Sequence, residues 1–161
     1  MIVQAAGSTL SNDYFKVEVG DYGEIASLQL TGDNFPTNYV MNATNAPKQG
    51  QSTTEHYWLG ELMFTYRLGS GAWTKALTNY SNDARTKNQS GNTVTITYQN
   101  SANSQGIRNF KVDESYSLVN DYLLWSITVT NTSSQNIEFG DFGLPMPFNE
   151  YWSQGDYIYE T

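Results

Sequence analysis

The sequence predicts an all-β protein, an antiparallel β-sandwich of galactose-mutarotase-like or jelly-roll-like type with roughly eight to ten strands. Three observations lead there. Apolar residues recur at every second position in most segments, most clearly in YLLWSITVTN at residues 122–131, the signature of a half-buried strand. Clusters of Gly, Asn, Asp and Ser separate these segments at short intervals, where strands need turns. No segment combines a helical period with a helix start signal.

The elements follow in order. Residues 1–12 read as a leader or scar without structure. Residues 14–19 put Phe15, Val17 and Val19 on one face, and residues 24–30 put Ala26, Leu28 and Leu30 in phase. The glycine turn Gly20-Asp21-Tyr22-Gly23 joins them into a hairpin. Residues 31–34 are a second turn, 38–42 a short strand, and 43–55 a long polar surface loop of the kind that is often functional. Residues 58–68 place Trp58, Leu62, Phe64, Tyr66 and Leu68 in one phase, with Glu61, Thr65 and Arg67 in the other. A turn at 69–71 leads to a short strand at 72–77 carrying Trp73.

Residues 79–92 read as a polar stretch of two turns around a brief extended piece. Residues 93–99 alternate Val94, Ile96 and Tyr98 against threonines, and 100–109 form a loop. Residues 110–119 and 122–131 make a hairpin across Asn120-Asp121, with 122–131 expected at the centre of the sheet and Trp125 in the core. Residues 136–144 are the last strand, and Pro145 and Pro147 end regular pairing. With no internal repeat and no break in composition, the 161 residues make one domain with a real core.

Composition excludes several functions. The net charge of -8 and the absence of a Lys/Arg run argue against nucleic acid and against an acidic membrane surface. No stretch is long enough to span a bilayer as a helix. The chain has no cysteine, which removes disulfides, thiolate catalysis and cysteine-ligated metal. Richness in Asn, Thr, Ser, Gly and Tyr, with few Lys and Arg, is common in exported domains that meet polysaccharide. A secreted or extracellular location is therefore expected. Sequons at Asn42, Asn79, Asn88 and Asn131 are expected by chance in so Asn- and Thr-rich a chain.

Two stretches carry a resemblance. The opening YFKVEVGDYGEIASLQL contains the pattern G-x-I-x-S-L at Gly23–Leu28. The run FKVDESYSLVNDYLLWSITVTNTSSQNIEFGDFGLPMPFN contains a long hairpin, a strand ending V-T-N-T-S and a strand leading into G-D-x-x-L-P. Together they resemble galactose-mutarotase-like β-sandwiches, as found at the N-terminus of bacterial multidomain glycoside hydrolases. The resemblance implies a domain that accompanies a catalytic domain of the same polypeptide.

Residues able to do chemistry are few. A mutarotase-like epimerase needs histidines and a carboxylate around a sugar, and the chain has one histidine, His56, beside Glu55. A Ser-His-Asp triad could use His56, but no nucleophile elbow accompanies it. A glycosidase needs two carboxylates across a cleft. Glu114 is the notable candidate, because its phase puts it on the apolar face between Val112 and Tyr116. A bulge turning it outward, or an ion pair with Arg67 or Arg108, would explain it as well. Glu61 and Glu55 have no evident mate. Asp13, Asp21, Asp33 and Asp141 sit in turns as a Ca²⁺ site on a sandwich would use them, although Asp favours turns on its own account. No other cofactor is implied.

Aromatics are the stronger signal, with four Trp and twelve Tyr. The C–H face of a sugar ring packs on an aromatic face while its hydroxyls seek amides and carboxylates. Tyr151 and Trp152 are the first candidates, Tyr57 and Trp58 the second, and Trp73 the fifth residue of the set. The expectation is a non-catalytic carbohydrate-binding module or accessory domain of a polysaccharide-degrading glycoside hydrolase. The alternatives are a structural module packed on a catalytic domain, and a hydrolase or epimerase fragment with its own activity.

Overall fold

The computed structural model describes residues 7–34, 37–40, 58–78 and 84–146. Among them there are ten strands and no helix: β1 (Ser8–Ser11), β2 (Phe15–Val19), β3 (Ile25–Leu30), β4 (Met63–Leu68), β5 (Thr74–Leu77), β6 (Arg85–Ser90), β7 (Thr93–Tyr98), β8 (Phe110–Val119), β9 (Tyr122–Asn131) and β10 (Ile137–Gly143). They form three sheets, ordered β1-β2-β3, β10-β4-β5 and β6-β7-β8-β9. Every pairing is antiparallel. The architecture is an antiparallel β-sandwich.

The alternation read from the sequence decides which side faces in. β7 buries Val94, Ile96 and Tyr98, and β8 buries Phe110, Val112, Glu114, Tyr116 and Leu118. This row meets Leu10, Val17, Val19 and Ile25 of the first sheet and Phe64, Tyr66 and Ala76 of the second in one core. Where the second sheet crosses the four-stranded one, Phe64 and Tyr66 meet Phe110 edge-on at 5.2 and 5.1 Å, a favoured aromatic arrangement. The first sheet lies beside β6, where Lys87 Nζ donates to Gly20 O at 3.2 Å and Gln89 Nε2 to Thr9 O at 2.9 Å.

Four expectations are corrected. Among the described residues, 122–131 form an edge strand, since β9 pairs with β8 and with no other strand. β7 and β8 are the strands of the four-stranded sheet with neighbours on both sides. Trp125 accordingly packs against the core without being sealed in it. Part of the expected leader is structured: β1 pairs with β2, because Leu10 supplies a buried contact opposite Val17. The extended piece expected to be brief within 79–92 is β6, a full partner of β7 from Arg85 to Ser90. Its side chains are polar because its outer face and edge meet water, and backbone pairing carries it.

Finally, the phase read through residues 58–68 breaks at the turn around Gly60, whose φ is +99°. Strand β4 starts only at Met63, and Glu61, expected outward, is buried. The loop expected at 43–55 lies outside the described residues.

Candidate functional site

Three surfaces or clusters bring polar and aromatic groups together. The first is on the outer face of the β10-β4-β5 sheet. Trp73 immediately precedes β5 and is 47% exposed. The Arg67 guanidinium of β4 lies over its ring, 4.7 Å from the centroid. Arg67 Nε also donates to Glu138 Oε2 of β10 at 2.7 Å, tying the two strands across their register. Gly140 stands at the irregularity in the β10–β4 pairing, and a Cβ there would lie 3.1 Å from Trp73 Cζ3. The bare backbone thus gives the indole a flat seat. The result is an exposed indole under a guanidinium that is itself paired to Glu138, with exposed Lys75 farther along β5.

The second is buried. Glu114 is 0% exposed, in the inward row of β8. Its Oε1 accepts from Tyr116 Oη at 2.6 Å and from Trp125 Nε1 at 2.7 Å, and its Oε2 meets Tyr98 Oη at 3.2 Å. The same hydroxyls reach the glycine turn, Tyr98 Oη to Tyr22 O and Tyr116 Oη to Gly23 O, both at 3.1 Å.

Counting protons explains the charge state. With Glu114 ionised, the two hydroxyls and the indole supply three protons for five contacts. A proton on Oε2 adds a fourth donor, aimed at Tyr98 Oη, and frees Tyr98 to donate to Tyr22 O. Burial agrees, lifting the Glu114 pKa from 4.5 to about 8 even though Tyr116, Trp125 and Tyr98 favour the anion. Burial and then the neighbouring Glu114 push both tyrosines well above their usual range. Burial likewise raises Glu24, against its own and the Tyr22 backbone N–H and the charges of Lys87 and Arg85.

Over this cluster, Tyr22 and Trp58 stack with ring centroids 5.9 Å apart and planes at 23°. Arg85 lies over the Tyr22 ring at 4.9 Å and donates to its carbonyl at 3.2 Å.

The third is a shallow groove of about 570 Å³ beside the β2–β3 sheet end, lined by Asp13, Tyr14, Leu30, Thr31, Asp33 and Tyr39 among others. Tyr14 is 53% exposed. Asn12 Oδ1 holds its backbone, accepting from the N–H groups of Tyr14 and Phe15 at 2.9 and 2.8 Å. Tyr39 Oη donates to Asp33 Oδ2 at 3.3 Å.

Of the residues expected to bind sugar, Trp73 is on open surface, and Trp58 is half-buried in the stack with Tyr22. Tyr57, Tyr151 and Trp152 lie outside the described residues, as do His56 and Glu55. Glu114 is inward, held by neutral donors, while Arg67 pairs with Glu138. Asp21 pairs with Lys87 at 3.0 Å, and among the described residues no three His, Asp or Glu side chains gather as a metal site would need. The Tyr14–Tyr39 groove was not anticipated. Its signal was there in Asp13-Tyr14 and Tyr39 flanking the Thr31–Asn34 turn.

These features define an all-β sandwich domain with open aromatic surfaces and a carboxyl sealed in its core. Residues 21–156 match the model of DUF5695, a family of unknown function, and the chain belongs to that family. No curated protein and no solved structure matches the chain.

Proposed function

We propose that the domain binds neutral carbohydrate without turning it over, as an accessory module of a polysaccharide-degrading enzyme. The observation that carries this is Trp73: a large, half-exposed indole on the sheet, beneath an Arg67 guanidinium that is paired to Glu138. A pyranose would displace the Arg67 guanidinium from over the indole, stack its C–H face there, and hydrogen-bond Arg67, Glu138 or Lys75 through its hydroxyls. The Tyr14–Tyr39 groove, with Asp13, Asp33 and Thr31, repeats the same chemistry in concave form. Glu114 gives no support to catalysis, being sealed from any substrate atom in this conformation.

Native affinity gels with soluble glucan, xylan and mannan test this. At least one polysaccharide is expected to retard the protein, with little change on adding salt, because no charge is neutralised. Trp73→Ala is expected to weaken that retention by about tenfold or more, as losing a central aromatic anchor does. Trp58→Ala, which alters a stacked and half-buried ring, is the comparison. Failure of every polysaccharide to retard the protein removes sugar binding from consideration.

A second reading, a structural module packed on a catalytic domain of the same polypeptide, draws on different residues. Phe139 and Phe142 pack on Phe64 from inside yet remain exposed, and Leu144 and Met146 beyond them are exposed too. Exposed apolar surface of that kind marks contact sites.

A further inference from the structure

We propose that β9 is a dimerisation edge, and that two copies of this chain join their four-stranded sheets by antiparallel pairing of β9 with β9. Natural proteins guard a long edge strand with charge, proline, a bulge or a covering segment. The opposite edge of the same sheet, β6, has such guards: it is six residues long and carries Arg85 and Lys87. The edge of β3 is covered, since Leu28 O accepts from Tyr39 N at 2.8 Å and Asn38 Oδ1 accepts from Leu28 N at 3.0 Å. By contrast β9 runs for ten residues, YLLWSITVTN, with no charge and no proline, and its pairing with β8 is unbroken by any bulge.

Absence of charge is what identifies the occupant. In a two-fold pairing each residue near the axis meets its own kind, and like charges directly opposite are destabilising. A copy of a strand bearing even one mid-strand charge would be repelled, and in a chain of net charge -8 an uncharged strip is where two copies can approach. With the axis at Ser126, outward side chains meet outward ones. Ser126 faces Ser126 of the other copy, Leu124 faces Thr128, and Tyr122 faces Thr130. On the core side Trp125 comes beside Ile127 and Leu123 beside Val129, so the core row continues from one copy into the next.

The present exposure of Tyr122 (49%), Leu124 (46%) and Val129 (38%) fits an edge awaiting such a neighbour. The nine residues 122–130 that pair in this register would add on the order of nine backbone hydrogen bonds along about 30 Å of strand.

Light scattering after size exclusion, or sedimentation equilibrium, reads the outcome directly. The wild-type chain is expected at twice its monomer mass, with concentration-dependent protection of β9 amides from hydrogen exchange. Ser126→Lys and Ser126→Glu each set like charges against one another at the axis, and each is expected to weaken association by at least tenfold. Mixed in equal amounts, they are expected to restore the dimer as a Lys–Glu heterodimer. Ser126 is exposed, so both variants should keep the wild-type circular dichroism. If either does not, the double variants Leu124→Lys with Thr128→Lys and Leu124→Glu with Thr128→Glu replace them, because these two exposed positions face one another across the axis. A wild-type chain that stays monomeric overturns the proposal, as does a dimer that persists in both charged variants.

Discussion

Glu114→Gln is expected to flatten most of the dependence of stability on pH between about 5 and 8. In the folded chain burial holds the Glu114 proton up to about pH 8, whereas the unfolded chain releases it near 4.5. Between those values the unfolded state binds fewer protons, so stability falls as pH rises. The contribution is complete below the unfolded pKa, is lost on the way to about 8, and levels off beyond. At ~1.4 kcal/mol per pKa unit the loss amounts to several kcal/mol, a large part of the stability of an ordinary domain.

Glutamine reproduces the neutral acid. Its oxygen can accept from Tyr116 and Trp125, and its amide can donate to Tyr98, as the protonated carboxyl does. Urea unfolding followed by tryptophan fluorescence at several pH values separates the two proteins. The variant should match the wild type near pH 5 and exceed it at pH 8. A smaller slope of the same sign should remain from Glu24, which burial also raises. Identical slopes in the two proteins would show that Glu114 is ionised in the folded state. Glu114→Leu is a separate case: both tyrosine hydroxyls keep their carbonyl acceptors, Tyr22 O and Gly23 O, but the Trp125 N–H loses its partner. An orphaned buried donor costs about 1–3 kcal/mol.

Much of this cluster was legible in the chain, and its limits are instructive. The period of two in Val112, Glu114, Tyr116 and Leu118 puts the carboxyl indoors, as the structure does. The same period in Leu123, Trp125 and Ile127 says that one face of β9 packs on the core. It carries no information on how many neighbours a strand has, and an edge strand with one wet face alternates as a central one does. That is why β9 looked central. Polar β6 reads as no more than a brief extended piece for the opposite reason: its partner strand and hydrogen bonds, not its side chains, make it a full strand.

The partners of Glu114 come from β7, β8 and β9, and the tyrosine hydroxyls among them reach on to the glycine turn. Such a convergence depends on register between segments far apart in sequence, which local patterning does not encode. Trp73 shows the same limit. Its place after a tight turn left rim and surface open, and the bare Gly140 beneath it, on a strand nearly seventy residues later, is what seats the ring on the surface.

Gly23→Ala should be among the most damaging single-methyl changes in the chain, for a reason that lies in that same cluster. Gly23 has φ +89°, a conformation strained for any L side chain, and a Cβ built on it would sit 1.8 Å from Tyr98 Oη. Tyr98 cannot retreat, because its ring is buried in β7 and its hydroxyl is fixed between Tyr22 O and Glu114. Backbone strain and overpacking each cost about 1–3 kcal/mol, so a loss of about 3–5 kcal/mol is expected in chemical denaturation. Gly32→Ala isolates the first contribution: φ there is +84°, yet nothing lies within 4 Å of the added carbon. It should lose only the strain.

Tyr98→Phe isolates the second. Removing the hydroxyl opens the space the methyl needs, so the double variant Gly23→Ala, Tyr98→Phe should be more stable than the sum of the single losses predicts. Gly60→Ala should be rescued less well by Tyr116→Phe. Its Cβ would meet Tyr116 Oη at 2.4 Å but also the backbone oxygen of Gly23 at 3.0 Å, and that atom cannot be removed by substitution. Strictly additive losses at Gly23 and Tyr98 would mean that the hydroxyl and the glycine turn do not press on one another. The seal over Glu114 would then have to be sought in another part of the core.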